Sequence, residues 1–196
     1  MSSGDELLKK QMEYWDAADP SLVGPRTARE MYTAFKKIMK KTPKRVLDFG
    51  CGTGRLFNLF DSAHYIGLDI SKAKLSLAHE KNSEALLVWN GTNPQIPFLD
   101  AYFDAIICYS VFTHTPEEQT KSILSEFARI LTSEGTIYTS IIENKFTKRG
   151  NWVLTNRKWF EEMAHDLGLK MVDEAHIPEV DDVYQTLFTL EKEEKE

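Results

Sequence analysis

Two rhythms of apolar residues alternate along the chain. Short apolar runs, the pattern of strands buried on both faces, fall at 45–49, 64–69, 85–89, 103–109 and 136–142. Between and around them, apolar residues recur at helical spacing. Leu8, Met12 and Trp15 share one helical face, and Met31, Phe35, Ile38 and Met39 mark a second helix that Pro43 stops. Ile123, Leu124, Phe127, Ile130 and Leu131 form the buried face of a helix after the fourth run. Trp159, Phe160, Met163 and Leu167 predict one more, after a long polar loop, with Gly168 at its C-terminal end. Two further strands, at 170–175 and 183–190, close the chain.

Polar residues sharpen the boundaries. Thr27 with Glu30 has the spacing of a capping box, and Ser71 suits an N-cap. Thr115, Pro116 and Glu118 read as a cap, a proline at the first helical position and a capping-box acid. A helix is also expected to open near Gly54, and a turn at 133–135 to precede the fifth strand. Strands alternating with helices predict a doubly wound α/β domain, a mainly parallel sheet covered by helices on both faces. The connection at 178–182 is too short for a parallel crossover, so the last two strands are expected to form an antiparallel hairpin at the sheet edge.

Composition narrows the setting. The 196 residues suffice for one domain with a sizeable core. A net charge of −6 and a pI near 5.5 argue against a large nucleic-acid footprint. No apolar stretch is long enough to span a bilayer, and the N-terminus lacks a secretory pattern. Cys51 and Cys108 have no partners at metal-ligand spacing, which fits reduced thiols in a cytoplasmic protein. No His/Asp/Glu cluster has metal-ligand spacing either, so no metal is expected.

The candidate chemistry lies where the first strand ends, in Asp48-Phe49-Gly50-Cys51-Gly52-Thr53-Gly54-Arg55. Alternating glycines between a strand and the next element let the backbone turn sharply and approach a ligand. Asp69, at the end of the second strand, is placed to accept hydrogen bonds from both hydroxyls of a ribose. A dinucleotide site wants Gly-x-Gly-x-x-Gly, so that a helix N-terminus meets the pyrophosphate. Here the spacing is Gly-x-Gly-x-Gly and the later position is Arg55. That argues against a dinucleotide and for S-adenosylmethionine, which carries an amino-acid end and no phosphate.

From Val46 to about Ile142 the chain resembles the class I S-adenosylmethionine-dependent methyltransferases. The glycine segment is similar to the family's motif I, and Tyr65 to Ser71 to its motif II. Ile96-Pro97-Phe98 with Phe103-Asp104 is similar to the third and fourth motif region. Phe127-Ala128-Arg129-Ile130-Leu131 with Gly135 resembles the helix and turn before the fifth strand. The resemblance implies a Rossmann-like seven-stranded mixed sheet whose last strand is antiparallel. It also implies that Asp48, Gly50, Gly52 and Gly54 surround the methionine part of S-adenosylmethionine, that Asp69 holds the ribose and that Ile70 lies against the adenine. Where many relatives carry Gly-Asp at the adenine amino group, this chain has Gly91-Thr92, so Thr92 or Asn90 is expected to serve. Tyr109, at the end of the fourth strand, completes the cofactor set. Tyr14 and Trp15 are candidates for a lid, because N-terminal segments often cover this site in the family.

The resemblance divides a single domain into N-terminal helices (1–42), a cofactor-binding core (43–142) and an acceptor-side loop, helix and hairpin (143–196). His114 follows the fourth strand near the acceptor position. It could act as a general base or be a structural residue beside the next helix. Lys145, Lys148, Arg149, Arg157 and Lys158 border the same side and could select an anionic substrate, or be solvated. The fourth strand ends Tyr109-Ser110-Val111-Phe112, without the Asn/Asp-Pro-Pro-Tyr of enzymes that methylate DNA bases and without an acidic pair for a substrate arginine. With no added domain to grip a macromolecule, the expected acceptor is a small molecule. The alternatives are an enzyme of another class using an altered donor, or a non-catalytic cofactor-binding subunit. Oligomeric state is not legible in the sequence.

Overall fold

Seven strands form one sheet in the computed structural model, which describes residues 3–18, 25–40, 42–60, 64–91, 93, 95–143, 156–178 and 184–193. The strands are β1 (Val46–Phe49), β2 (Tyr65–Asp69), β3 (Leu86–Trp89), β4 (Phe103–Cys108), β5 (Leu131–Glu143), β6 (Leu169–Pro178) and β7 (Tyr184–Lys192). Their order is β3-β2-β1-β4-β5-β7-β6. β7 runs antiparallel to both neighbours, and β1 to β5 are parallel. The helices are α1 (Ser3–Ala17), α2 (Pro25–Ile38), α3 (Lys72–Lys81), α4 (Glu117–Ile130) and α5 (Arg157–Asp166).

Period-two alternation in the strands divides the core between the two faces of the sheet. Leu47, Leu68, Ile106, Cys108 and Phe188 pack with Phe127 and Leu124 of α4 and Phe160 and Met163 of α5. Their neighbours Val46, Ala105, Ile107 and Leu187 face the other way, against Met31, Phe35 and Ile38 of α2. The predicted architecture, a doubly wound sheet with helices on both faces, is the observed one. Among the described residues no helix is long and apolar enough to cross a membrane.

Several boundaries differ from the expectation, each for a physical reason. No α-helix opens at Gly54; residues 52–56 form turns and lead into a one-turn 3-10 helix, Phe57–Leu59. Gly50, Gly52 and Gly54 take φ of 73°, 56° and 70°, incompatible with a right-handed helix. Residues 50–64 then leave too little chain for both a long helix and its return to β2. α2 begins at Pro25, two residues before Thr27, with proline in its first turn. α4 begins at Glu117, with Pro116 just outside it in an extended conformation, while the Thr115 hydroxyl donates to the Val111 carbonyl instead of capping.

β5 starts at Leu131, which pairs with Phe103; the expected turn at 133–135 is absorbed by a register shift opposite Phe103 and Ala105. The final hairpin is antiparallel as expected, but β7 lies inside the sheet and β6 takes the edge. The composition explains the exchange. Gln185 to Leu190 of β7 are all buried, whereas β6 carries Lys170, Asp173, Glu174 and His176, charges and polar groups suited to an edge. Two caps are where the sequence puts them. Ser71 Oγ accepts from the Lys74 amide, and Gly168, at φ 71°, donates its amide to the His165 carbonyl.

Phe127 lies under the carboxyl ends of the parallel strands, its ring edge-on to Phe49 at 5.2 Å and 6.4 Å from Phe112. Replacing it with Ala leaves a cavity in this layer. Phe127→Ala is expected to lower unfolding stability by about 3–5 kcal/mol in urea titrations; a loss below about 1 kcal/mol would show that this layer does not hold the sheet ends.

Candidate functional site

The chain leaves β1 for β2 and β3 on one side and places β4 on the other, so the strand order reverses between β1 and β4. A crevice forms at the carboxyl ends of strands at such a point. Its floor is the glycine loop after β1 on one side and Tyr109 to His114 after β4 on the other.

The loop is held to β2. The Gly50 and Cys51 amides donate to the Leu68 carbonyl at 2.7 and 3.1 Å, and the Gly54 amide to the Cys51 carbonyl at 3.0 Å. Asp69 is 6% exposed, and its two oxygens are divided. Oδ2 accepts from the Gly52 amide and Oδ1 from the Ser71 amide, both at 2.8 Å. Burial raises its pKa, and those amides and the nearby Lys74 oppose the rise. A Cβ at Gly50 would run into Val111, and one at Gly91 into the Trp89 ring, whereas one at Gly52 would meet nothing within 4 Å. Gly52 therefore faces open space beside the Asp69 carboxylate.

Asp48 is buried beneath the loop and accepts from the Tyr65 hydroxyl at 2.5 Å. Burial pushes its carboxyl up to about 7, the Asp69 charge adds to the rise, and the Tyr65 hydrogen bond and the Arg55 guanidinium oppose it. Ile70 is half-buried, and its carbonyl accepts from the Trp89 indole N–H at 2.9 Å. Gly91 is buried at φ 55°. Thr92 lies outside the described residues. Asn90 gives its side-chain amide to the Asn93 carbonyl, which holds the turn after β3.

On the other side, Tyr109 is buried and its ring packs on Phe35. Ser110 takes φ 58°, a left-handed conformation that costs a non-glycine residue about 1–2 kcal/mol. Three polar groups fix it: its amide donates to Ser140 Oγ, Gln185 donates to both serine hydroxyls, and Thr113 donates to its carbonyl. His114 is half-buried, and α1 crosses to reach it. Gln11 donates to the His114 carbonyl at 2.9 Å, and the Trp15 ring stands edge-on to the imidazole at 4.9 Å. At its end, Asp16 accepts from the Ser71 hydroxyl at 2.6 Å and from the Ala73 amide. α1 thus ties the β4 side to the first turn of α3. Within it Trp15 makes the inward contact, and Tyr14, 48% exposed, lies against Trp15.

The sequence-predicted residues Asp48, Gly50, Gly52, Gly54, Asp69, Ile70, Gly91, Tyr109 and His114 thus gather at one end of the sheet. Lys145, Lys148 and Arg149 lie outside the described residues. Arg157 and Lys158 belong to α5, where Arg157 pairs with Glu161 and Glu174, and Lys158 with Glu162. Sequence reasoning missed Tyr65, Asp16, Trp89 and Gln185. Among the described residues no group of three or more His, Cys, Asp or Glu could hold a metal ion.

A family model described as a methyltransferase domain matches residues 47–139, from β1 into β5. Over this segment the chain is similar to the class I S-adenosylmethionine-dependent methyltransferases. This is a family of enzymes that take S-adenosylmethionine as methyl donor. The chain is 32% identical over 124 residues to a human protein named probable tRNA methyltransferase 9B, covering 60% of this chain and 27% of that protein. It is 27% identical over 167 residues to a tRNA (carboxymethyluridine(34)-5-O)-methyltransferase of Arabidopsis thaliana, covering 83% of this chain and 41% of that one. The chain therefore matches less than half of the length of either relative. A solved structure of Burkholderia thailandensis 1,6-didemethyltoxoflavin-N1-methyltransferase, with its substrate and S-adenosylhomocysteine bound, superposes with a TM-score of 0.75 at 16% identity, over 99% of this chain and 92% of that one.

The raised pKa of Asp48 has a consequence for stability. Its folded-state value, about 7, lies above the ordinary 3.8, so folding favours the protonated form. That contribution is complete at a pH below about 4 and is lost as the pH rises through about 7. The ligand-free chain is expected to lose stability as the pH rises from about 4 to about 7, and Asp48→Asn to flatten that slope. Urea midpoints measured across the range check this; an unchanged slope in the variant would show that Asp48 is not the group responsible.

Proposed function

We propose that the chain binds S-adenosylmethionine between the glycine loop and Asp69 and directs its methyl group to a small-molecule acceptor held on the β4 side. The observation that carries the cofactor half is the open face of Gly52 beside the buried Asp69 carboxylate. A ligand can approach the backbone there as no side chain could, and each Asp69 oxygen keeps acceptor capacity for a ribose hydroxyl. Asp48 and Arg55 would flank the methionine part. Ile70, Gly91 and Asn90 would border the adenine, together with Thr92, which the sequence alone assigns to this side. When bound, S-adenosylmethionine supplies an activated methyl group on a sulfonium, a strong leaving group.

The tasks left to the chain are alignment and exclusion of water. α1 serves the second by bridging His114 and Ser71. Ser110 borders the acceptor, Tyr109 stays with the cofactor set, and His114 takes the acceptor's proton where the acceptor atom carries one. The net charge of −6 supports a small acceptor over a polyanion. A second reading, methylation of tRNA, is favoured by the names of the relatives from Homo sapiens and Arabidopsis thaliana.

Two measurements test this. Calorimetry is expected to show S-adenosylmethionine binding that Asp69→Ala weakens by about 1–3 kcal/mol, the loss of charge-assisted hydrogen bonds. Well-folded wild type that does not bind would overturn the cofactor assignment. With methyl-labelled donor, a metabolite extract and total tRNA are then offered side by side. Label in the acid-soluble fraction is expected; label in precipitated tRNA would replace the small-molecule reading with the second one.

A further inference from the structure

We propose that Arg55 is the receptor for the carboxylate of the donor's methionine part, taking the place of the helix N-terminus that this glycine loop lacks. The inference rests on the cofactor reading above and deepens it.

Glycine loops at the end of a first strand commonly pass into a helix whose free amides and dipole favour an anion. Here the segment after Gly54 is a set of turns and a 3-10 helix of three residues, Phe57–Leu59, with no side-chain cap. So short an element adds little dipole. A zwitterionic amino-acid end placed beside this loop still presents a full negative charge that must be met.

Arg55 directly follows the last glycine, and its Nη1 is buried with no hydrogen-bond partner. An unpaired buried guanidinium N–H is costly and uncommon, and it points to a partner supplied from outside the chain. The residue is not a loose surface group. The Tyr32 hydroxyl of α2 donates to the Arg55 carbonyl, which anchors this turn to the helix beneath the sheet. The guanidinium lies within electrostatic reach of Asp48 below the loop and of Lys74 on α3, since it lowers the pKa of both. That places its charge between the end of β1 and the first turns of α3.

Lys74 is a weaker candidate. Its ammonium lies over the Trp15 ring at 4.9 Å and is already opposed by Asp69 and Asp16. Arg55 also has the better shape, because its planar fork matches a carboxylate with two parallel hydrogen bonds. The arrangement is then a zwitterion site, with Asp48 on the ammonium side and Arg55 on the carboxylate side.

The test uses three probes that differ at the amino-acid end, decarboxylated S-adenosylmethionine also carrying the methyl sulfonium, so each probe is compared with itself between wild type and variant. S-Adenosylhomocysteine has the carboxylate, decarboxylated S-adenosylmethionine keeps the ammonium and lacks it, and 5′-methylthioadenosine lacks the whole end. Each is titrated calorimetrically into wild type, Arg55→Gln and Arg55→Lys. Arg55→Gln is expected to weaken S-adenosylhomocysteine by about 10- to 100-fold, the range of a charge-assisted hydrogen bond. It should leave the other two probes within about twofold of wild type, and Arg55→Lys should recover part of the loss. Equal weakening of all three probes would overturn the assignment in favour of a structural role in the loop. Unchanged S-adenosylhomocysteine affinity in Arg55→Gln would place the carboxylate elsewhere. Wild type that binds none of the probes would remove the cofactor reading itself, and this assignment with it.

Discussion

The site depends on one carboxylate that is engaged at both oxygens before any ligand arrives. Asp69 sits at the end of β2, buried, and holds the Gly52 amide with one oxygen and the Ser71 amide with the other. The first bond fixes the top of the glycine loop across from β1. The second sets the residue that caps α3, and the Ser71 hydroxyl in turn donates to Asp16 at the end of α1. Three segments far apart in sequence thus take their positions from one side chain. Burial of the charge opposes the arrangement, and two short backbone hydrogen bonds and Lys74 offset it. A ligand hydroxyl reaching Asp69 finds an acceptor whose orientation is already set, so little ordering entropy remains to be lost.

The second constraint is electrostatic and follows from the short connection between β1 and β2. Three left-handed glycines in five residues let the backbone pass close to a ligand, but they also prevent a helix from starting there. The charge a helix dipole would have lent must then come from side chains. Below the loop the same economy appears in Asp48, buried against Tyr65 with a carboxyl pushed up to about 7. A cation brought beside such a group favours its ionised form.

What the sequence revealed is what is local. Strand positions followed from apolar runs, Ser71 and Gly168 from capping chemistry, and the glycines and Asp69 from their place at strand ends. What it hid depends on register or long-range docking. Tyr65 meets Asp48 because β1 and β2 pair in parallel with Val46 opposite Tyr65, which no spacing within either strand announces. Asp16 reaches Ser71 across 55 positions, and Gln185 reaches Ser110 across 75, only because α1 and β7 dock where they do. The missing helix after Gly54 was in principle legible, since 50–64 is short, but the periodic Leu56, Phe57 and Phe60 imitate a helical face. The position of β7 was hidden because a hairpin fixes only that two strands pair, and burial of both faces of β7 decides which of them is interior.

The two sides of the crevice, proposed above as a cofactor half and an acceptor half, are built differently, which bears on how one fold could serve many acceptors. The cofactor half is made of backbone: glycine φ angles, amides on Asp69, and close approach at Gly52. Such features tolerate little change without losing the loop. The acceptor half is made of side chains from separate elements: Ser110 held left-handed by Ser140 and Gln185, His114 packed on Trp15, and α1 laid across both. Ser110, His114 and α1 lie outside the strands, and Ser140 and Gln185 support them from within β5 and β7. A protein named for tRNA matches the chain in sequence and one named for 1,6-didemethyltoxoflavin matches it in fold, as expected if the donor is recognised by the core and the acceptor by its additions. The strain stored at Ser110 fits that division. It lies on the side proposed for the acceptor, held by three polar partners, where a small change in support would re-aim the residue.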